Sequence, residues 1–153
     1  MSKLNLKIPP VALGLIALIL MLLLNRWLPL YRLDFTLQAG LSVCTIGLGA
    51  WVALLAVIAF VRLGTTVDPR NPDKAGQLVV MGIYRYSRNP MYLGILLMLL
   101  GIAIYLGTLS AVIVVVFFAA HIDCYQIQPE EQALEAKFGS SYREYALRVR
   151  RWI

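Results

Sequence analysis

Apolar residues run along this chain in three long blocks with short polar breaks between them. They cover residues 10–30, interrupted at Asn25-Arg26, residues 39–63, and residues 91–127. Each is near or beyond the roughly 20 residues an α-helix needs to cross a bilayer. The third block is too long for one span and contains Gly107-Thr108-Leu109-Ser110, a turn-like tetrad without charge. It therefore divides into a helical hairpin, residues 91–106 and 111–126. Each arm is short for a full span, a mismatch that tilt, thinning or packing against neighbours accommodates. The expected fold is an all-α integral membrane protein of about four transmembrane helices, the last two a helical hairpin, with amphipathic helices at the cytoplasmic C-terminus.

Composition narrows the class. Of 153 residues, 60% are apolar and 14% charged, against about 25% charged in soluble domains, and the mean hydropathy is +0.75. These values exclude a large soluble catalytic domain, a disordered chain and a secreted disulfide scaffold. The two cysteines, Cys44 and Cys124, lie in apolar runs and read as reduced core thiols.

With four spans, the N-terminus, the 64–90 connection and the tail from Gln128 share one side. Twelve of the 14 Lys and Arg residues fall there, and only Arg26 and Arg32 fall opposite. The positive-inside rule makes that side, and both termini, cytoplasmic; in a bacterial cell the membrane is the inner one. The net charge of +6 then faces anionic lipid, so the bilayer explains it and no nucleic-acid partner is needed. The basic start and first apolar run mimic a signal peptide, but Asn25-Arg26-Trp27-Leu28-Pro29 comes next with no small-x-small site, and the segment reads as a retained anchor.

Two cytoplasmic pieces carry the polar information. Residues 64–74 have a loop composition, with two prolines and mixed charge. The tail reads as two amphipathic helices. Leu134 and Phe138 share a face of the first, which Gly139 closes; in the second, Ser141 and Glu144 form a capping box before Tyr142, Tyr145, Val149 and Trp152 line one side.

The segment from Gly82 to Gly94 is unusually polar for the entrance to a membrane helix. Pro90 suits a first helical turn and Asn89 the cap before it, which leaves free amides and a positive dipole end for a carboxylate or phosphate. Tyr84, Tyr86 and Tyr92 add aromatic faces that can hold a purine or a sulfonium. The same residues also fit a capped helix start with an interfacial aromatic belt. Glu130-Glu131 comes after Pro129 in the first turn of the tail helix, either as a solvated cap or as a carboxylate that receives an ammonium or sulfonium ligand. His121 and Asp123 lie inside the last apolar run, where polar groups are functional candidates; snorkelling or a hydrogen bond to another helix accounts for them equally. His121 and Cys124 share a helix face, but without a second ligand cluster no metal site is expected.

Residues 78–94, then Glu130-Glu131-Gln132-Ala133-Leu134, Phe138-Gly139-Ser140-Ser141-Tyr142-Arg143-Glu144-Tyr145 and Val149-Arg150-Arg151 resemble the isoprenylcysteine carboxyl methyltransferase family. They are similar, more distantly, to membrane phospholipid N-methyltransferases. The resemblance covers residues 76–151. It implies a single membrane domain, with a two-helix anchor over 1–63 and a methyltransferase core over 64–153 that includes the tail 128–153. It also implies S-adenosylmethionine as cofactor, bound at the cytoplasmic end of the last spans, and a small or lipophilic acceptor entering from the bilayer. By position, Gly76, Gln77, Leu78, Val79, Tyr84, Asn89, Pro90, Met91 and Tyr92 would border the cofactor, and Glu130 would take its ammonium.

Two positions depart from the family pattern. Asn89 stands where the family usually has His. Gln126 stands where the prenylcysteine enzymes place an Arg that pairs the substrate carboxylate; a neutral amide offers hydrogen bonds only, which argues against carboxyl methylation. If the acceptor needs deprotonation, His121 or Glu131 are the nearest bases. A small transporter is the rival from another class, but residues 10–24 and 39–61 carry no charge and Asp123 is its one candidate coupling group. A reductase of the same superfamily would use a nicotinamide cofactor, and no dinucleotide fingerprint is present.

Overall fold

The computed structural model describes residues 9–62 and 78–153. The basic residues Lys3 and Lys7, the whole 64–74 loop with Arg70 and Lys74, and Gly76 and Gln77 lie outside them. Six α-helices occupy the described residues: α1 Pro10–Trp27, α2 Gln38–Arg62, α3 Pro90–Leu106, α4 Leu109–Ile122, α5 Gln128–Phe138 and α6 Ser140–Arg148. No strand forms among them; one isolated bridge joins Arg32 to Thr108.

Proline sets two of these starts. Pro10 opens α1 and Pro90 opens α3, positions where the missing N–H costs nothing. Helix α1 runs through Asn25-Arg26, so the polar pair does not interrupt it. It ends at Trp27, and Pro29 stands two residues later. Arg26 lies over the Trp27 ring at 5.6 Å.

The hairpin turn is tighter than the sequence suggests. Leu109 and Ser110 already belong to α4, and only Gly107-Thr108 connect the arms. Gly107 takes φ +62° and closes α3, where its lack of a side chain admits Leu33 O and Gln38 Nε2 close beside it. Gln38 Nε2 donates to Ile104 O at 2.8 Å and Tyr105 O at 3.1 Å, which satisfies carbonyls that end the helix.

The second arm is not short. Helix α4 passes through a π-turn, Asp123–Ile127, straight into α5, giving a continuous 30-residue rod. That rod, α1 and α2 are long and apolar enough to cross a membrane, with α3 a shorter apolar helix. The chain is an all-helical membrane protein. By connectivity the starts of α1 and α3 and the ends of α2 and α4 share one face of the bundle.

The main core lies between α1, α3 and α4, around Met21, Leu99, Ala103, Val114, Phe118 and Ile122. Helix α2 lies along α3 in the most extensive helix pair of the fold. Small residues permit this: a Cβ added at Gly49 would sit 2.6 Å from Gly94 O, and one at Gly94 would sit 2.7 Å from Gly49 O. Backbones this close gain dispersion contacts that lipid cannot supply. Ser42 Oγ adds a 2.8 Å hydrogen bond to Gly101 O across the same seam.

Two local expectations change. Cys44 and Cys124 are free but exposed on the outer faces of the helices rather than in the core, because the small residues took the interior positions. Helix α6 starts at Ser140 behind Gly139, with no side-chain cap, so Ser141 and Glu144 form no capping box. Tail packing keeps most of the expected stripe: Tyr142, Tyr145 and Val149 are buried with Leu78, Leu134 and Phe138 against them, while Trp152 leaves it and packs against the main core.

Gly49→Ala should destabilise the protein by about 1–3 kcal/mol through overpacking. Gly47→Ala, whose added Cβ meets open space, should be neutral or gain up to about 1 kcal/mol from helix propensity. Unfolding midpoints in detergent check both.

Candidate active site

The lead-in to α3 is a short 3₁₀ turn, Gly82–Arg85, continued by Tyr86, Ser87, Arg88 and Asn89. Tyr84 is buried in that turn, its ring edge-on to Phe60 at 5.5 Å, within a cluster that includes Ala56, Ala59, Val79, Ile83 and Met91. Three backbone carbonyls join this segment to the tail. Tyr145 Oη donates to Tyr84 O at 2.7 Å, and the Arg88 amide donates to Arg150 O at 3.0 Å. Arg151 O accepts from Asn89 Nδ2 at 3.1 Å and from Ser87 Oγ at 3.4 Å.

Asn89 therefore occupies the cap position without capping through its side chain. Its amide group reaches the tail, while its own N–H donates to Ser87 Oγ at 3.1 Å. Pro90 contributes no donor, and the helical ladder starts with the Leu93 amide on Asn89 O at 3.0 Å. Met91 and Tyr92 thus have amides at the open end of the helix, where the dipole favours negative charge.

Across from that end stand two carboxylates. Successive helical residues point about 100° apart, so Glu130 and Glu131 serve different neighbours. Tyr92 Oη donates to Glu130 Oε2 at 2.8 Å. Glu131 faces the tail: Arg88 Nη2 lies 3.0 Å from its Oε1, and Arg151 Nη2 donates to its Oε2 at 2.7 Å. The same guanidinium donates through Nη1 to both oxygens of Asp123, at 3.3 and 3.2 Å. Gln128 Nε2 also donates to Asp123, at 3.1 Å. The depth that singled out Asp123 is explained by this pairing.

The electrostatics arise from burial and the two acids. Burial pushes the Tyr84 hydroxyl up, and the nearby Glu130 charge pushes it further. Burial likewise raises Tyr142 and Tyr145, so all three stay protonated and able to donate. The hydrogen bond to Glu131 leads the causes that raise Arg151 above its ordinary value, and it remains charged.

A cavity of about 450 Å³ opens on the Glu131 side, lined by Arg88, Gln128, Glu131, Gln132, Tyr142 and Arg151 among others. Gln126 is buried in the π-turn. His121 is exposed and stacks on Tyr125 at 4.8 Å; nine residues before Glu130, it lies about 13 Å away along the rod. The structure thus brings Val79, Tyr84, Met91, Tyr92 and Glu130 to one end of the bundle, and leaves His121 apart. Leu78 packs in the tail cluster beside it. Sequence reasoning missed the roles of Ser87, Arg88 and Arg151. The adjacent Glu130-Glu131 pair was the available signal, since two buried-edge acids require counter-charges. Among the described residues no three His, Cys, Asp or Glu side chains cluster to hold a metal.

A family model described as phospholipid methyltransferase matches residues 37–141, which span α2 through the start of α6. The chain belongs to that family, and so to the membrane methyltransferases of the phospholipid and isoprenylcysteine type. An uncharacterized protein of Haemophilus influenzae is 46% identical over 63 residues, 41% of this chain and the whole of that protein. No solved structure matches.

Tyr145→Phe removes the bond that holds α6 to the lead-in and leaves Tyr84 O short of a buried donor. It should cost about 1–3 kcal/mol. Limited proteolysis should show earlier cutting within residues 139–153 than in the wild type.

Proposed function

We propose that the protein transfers the methyl group of S-adenosylmethionine to a small or lipophilic acceptor that reaches the site from the membrane. The observation that carries this reading is the 2.8 Å bond between Tyr92 and Glu130, which joins the two family segments, residues 78–94 and the tail, at one boundary. The donor set fits such a cofactor. Glu130 is the carboxylate for an ammonium, the Met91 and Tyr92 amides at the start of α3 suit a carboxylate, and the buried Tyr84, Val79 and Met91 cluster offers an apolar aromatic wall. Leu78, Asn89 and Pro90 complete the described part of this shell, and Gly76 and Gln77 would extend it.

When bound, the cofactor would supply an activated methyl group: the acceptor's nucleophilic atom would bond to the methyl carbon as the carbon–sulfur bond breaks, and S-adenosylhomocysteine would leave as the neutral thioether. The protein's own work is positioning and exclusion of water. Glu130, oriented by Tyr92, would hold the ammonium and the start of α3 the carboxylate of the same amino-acid end of the ligand, and the apolar wall would keep water from the sulfonium charge. Gln126, neutral and buried in the π-turn, favours an uncharged or amine acceptor over a carboxylate. If a proton must be removed, Glu131 stands nearer than His121; its carboxylate is paired with Arg88 and Arg151. Eight of the ten described Lys and Arg residues lie at this end of the bundle, which supports a cytoplasmic site with both termini on that side.

Calorimetric titration of detergent-purified protein with S-adenosylhomocysteine tests the site. Glu130→Gln should weaken binding about ten- to 100-fold, the loss expected for one charged hydrogen bond of about 1.5–3 kcal/mol. Equal affinity in wild type and variant would remove Glu130 from this role. Incubating lipid and thiol extracts with methyl-labelled cofactor should put label into a membrane-extractable product, read by mass spectrometry, and Glu130→Gln should abolish most of it.

A further inference from the structure

We infer that Arg151 is a positioning residue: the C-terminal segment is a clasp that holds α5, and with it Glu130, at a set distance from the start of α3. The inference rests on the proposed cofactor site and names what keeps it in register.

Helix α5 joins α4 through a π-turn, a local departure from the α-helical repeat, so the direction of α5 is not set by the α-helical ladder alone. Side chains must do the rest. On one face Glu130 meets Tyr92, and on the other Glu131 meets Arg88 and Arg151. A ligand ammonium at Glu130 would share that carboxylate with Tyr92, whereas the Glu131 face is held by groups of the protein alone and keeps the orientation of α5.

Arg151 is built into that face from both sides. Its backbone is clipped to the α3 lead-in, since Arg151 O accepts from Asn89 and Ser87, and Arg150 O accepts from Arg88. Its guanidinium bridges Glu131 on α5 and Asp123 at the start of the π-turn. A planar fork reaches two carboxylates at once, which a lysine ammonium cannot reproduce. One residue thus links the lead-in, the π-turn and α5.

Two measurements test the clasp. The first needs no ligand: amide hydrogen exchange in detergent. Arg151→Gln should speed exchange across residues 128–138 at least ten-fold while α2, α3 and most of α4 keep wild-type rates. The second is calorimetry with S-adenosylhomocysteine. Arg151→Gln should weaken binding ten-fold or more, and Arg151→Lys should recover part of it. Glu131→Gln should weaken binding in the same direction, and the double variant should lose less than the sum of the two, because the changes share the Arg151–Glu131 link while each also breaks one of its own, to Asp123 or Arg88. Where activity is measurable, KM for the cofactor should rise by the same factor with kcat within about three-fold. Arg148→Gln, on an exposed side chain bonded within α6, should change neither readout. Should Arg151→Gln fail to fold, isosteric Glu131→Gln carries both measurements.

Unchanged exchange over residues 128–138 overturns the clasp, as does affinity within two-fold of wild type, or losses that add in the double variant. If the wild type binds no S-adenosylhomocysteine while exchange rises as stated, the proposed function falls and the clasp stands.

Discussion

Adjacent acids on one helix turn that face opposite ways are the constraint around which the polar end of this bundle is arranged. Glu130 looks toward α3 and finds a tyrosine; Glu131 looks toward the tail and finds two guanidinium groups. Burying either carboxylate without its partners would cost several kcal/mol. Their presence therefore dictates where Tyr92, Arg88 and Arg151 must be. The return of the tail over the bundle end makes sense as the means of delivering those partners.

The apolar blocks made the four helices and their hairpin legible, because hydropathy reports the one demand a bilayer imposes on every spanning segment. Boundaries were harder to read. Leu109 and Ser110 joined α4 because Gly107 alone supplies the positive φ that ends α3, and Asn25-Arg26 stayed helical as the last turn of α1, with Arg26 over the Trp27 ring. The π-turn had no sequence signature, since its cause is the fit between α4 and α5 rather than any residue within it.

The candidate site was legible in its members but not in its bonds. Tyr92, Asn89 and Glu130 stood out from their chemistry and from the resemblance, and Tyr92 and Glu130 do meet. Asn89 illustrates the limit: residue type predicted a cap, yet the tail carbonyl at Arg151 offered its side chain a better partner. Contacts between residues more than 60 positions apart leave no local pattern. Cys44 and Cys124 show the same limit in the membrane, where an apolar run says nothing about which face looks at lipid and which at protein.

The seam between α2 and α3 bears on traffic through the bilayer. Where Gly49 and Gly94 bring two backbones into van der Waals touch, not even a methylene chain can slip between the helices. Any hydrocarbon chain in the surrounding bilayer is thereby denied that seam as a way toward the polar end.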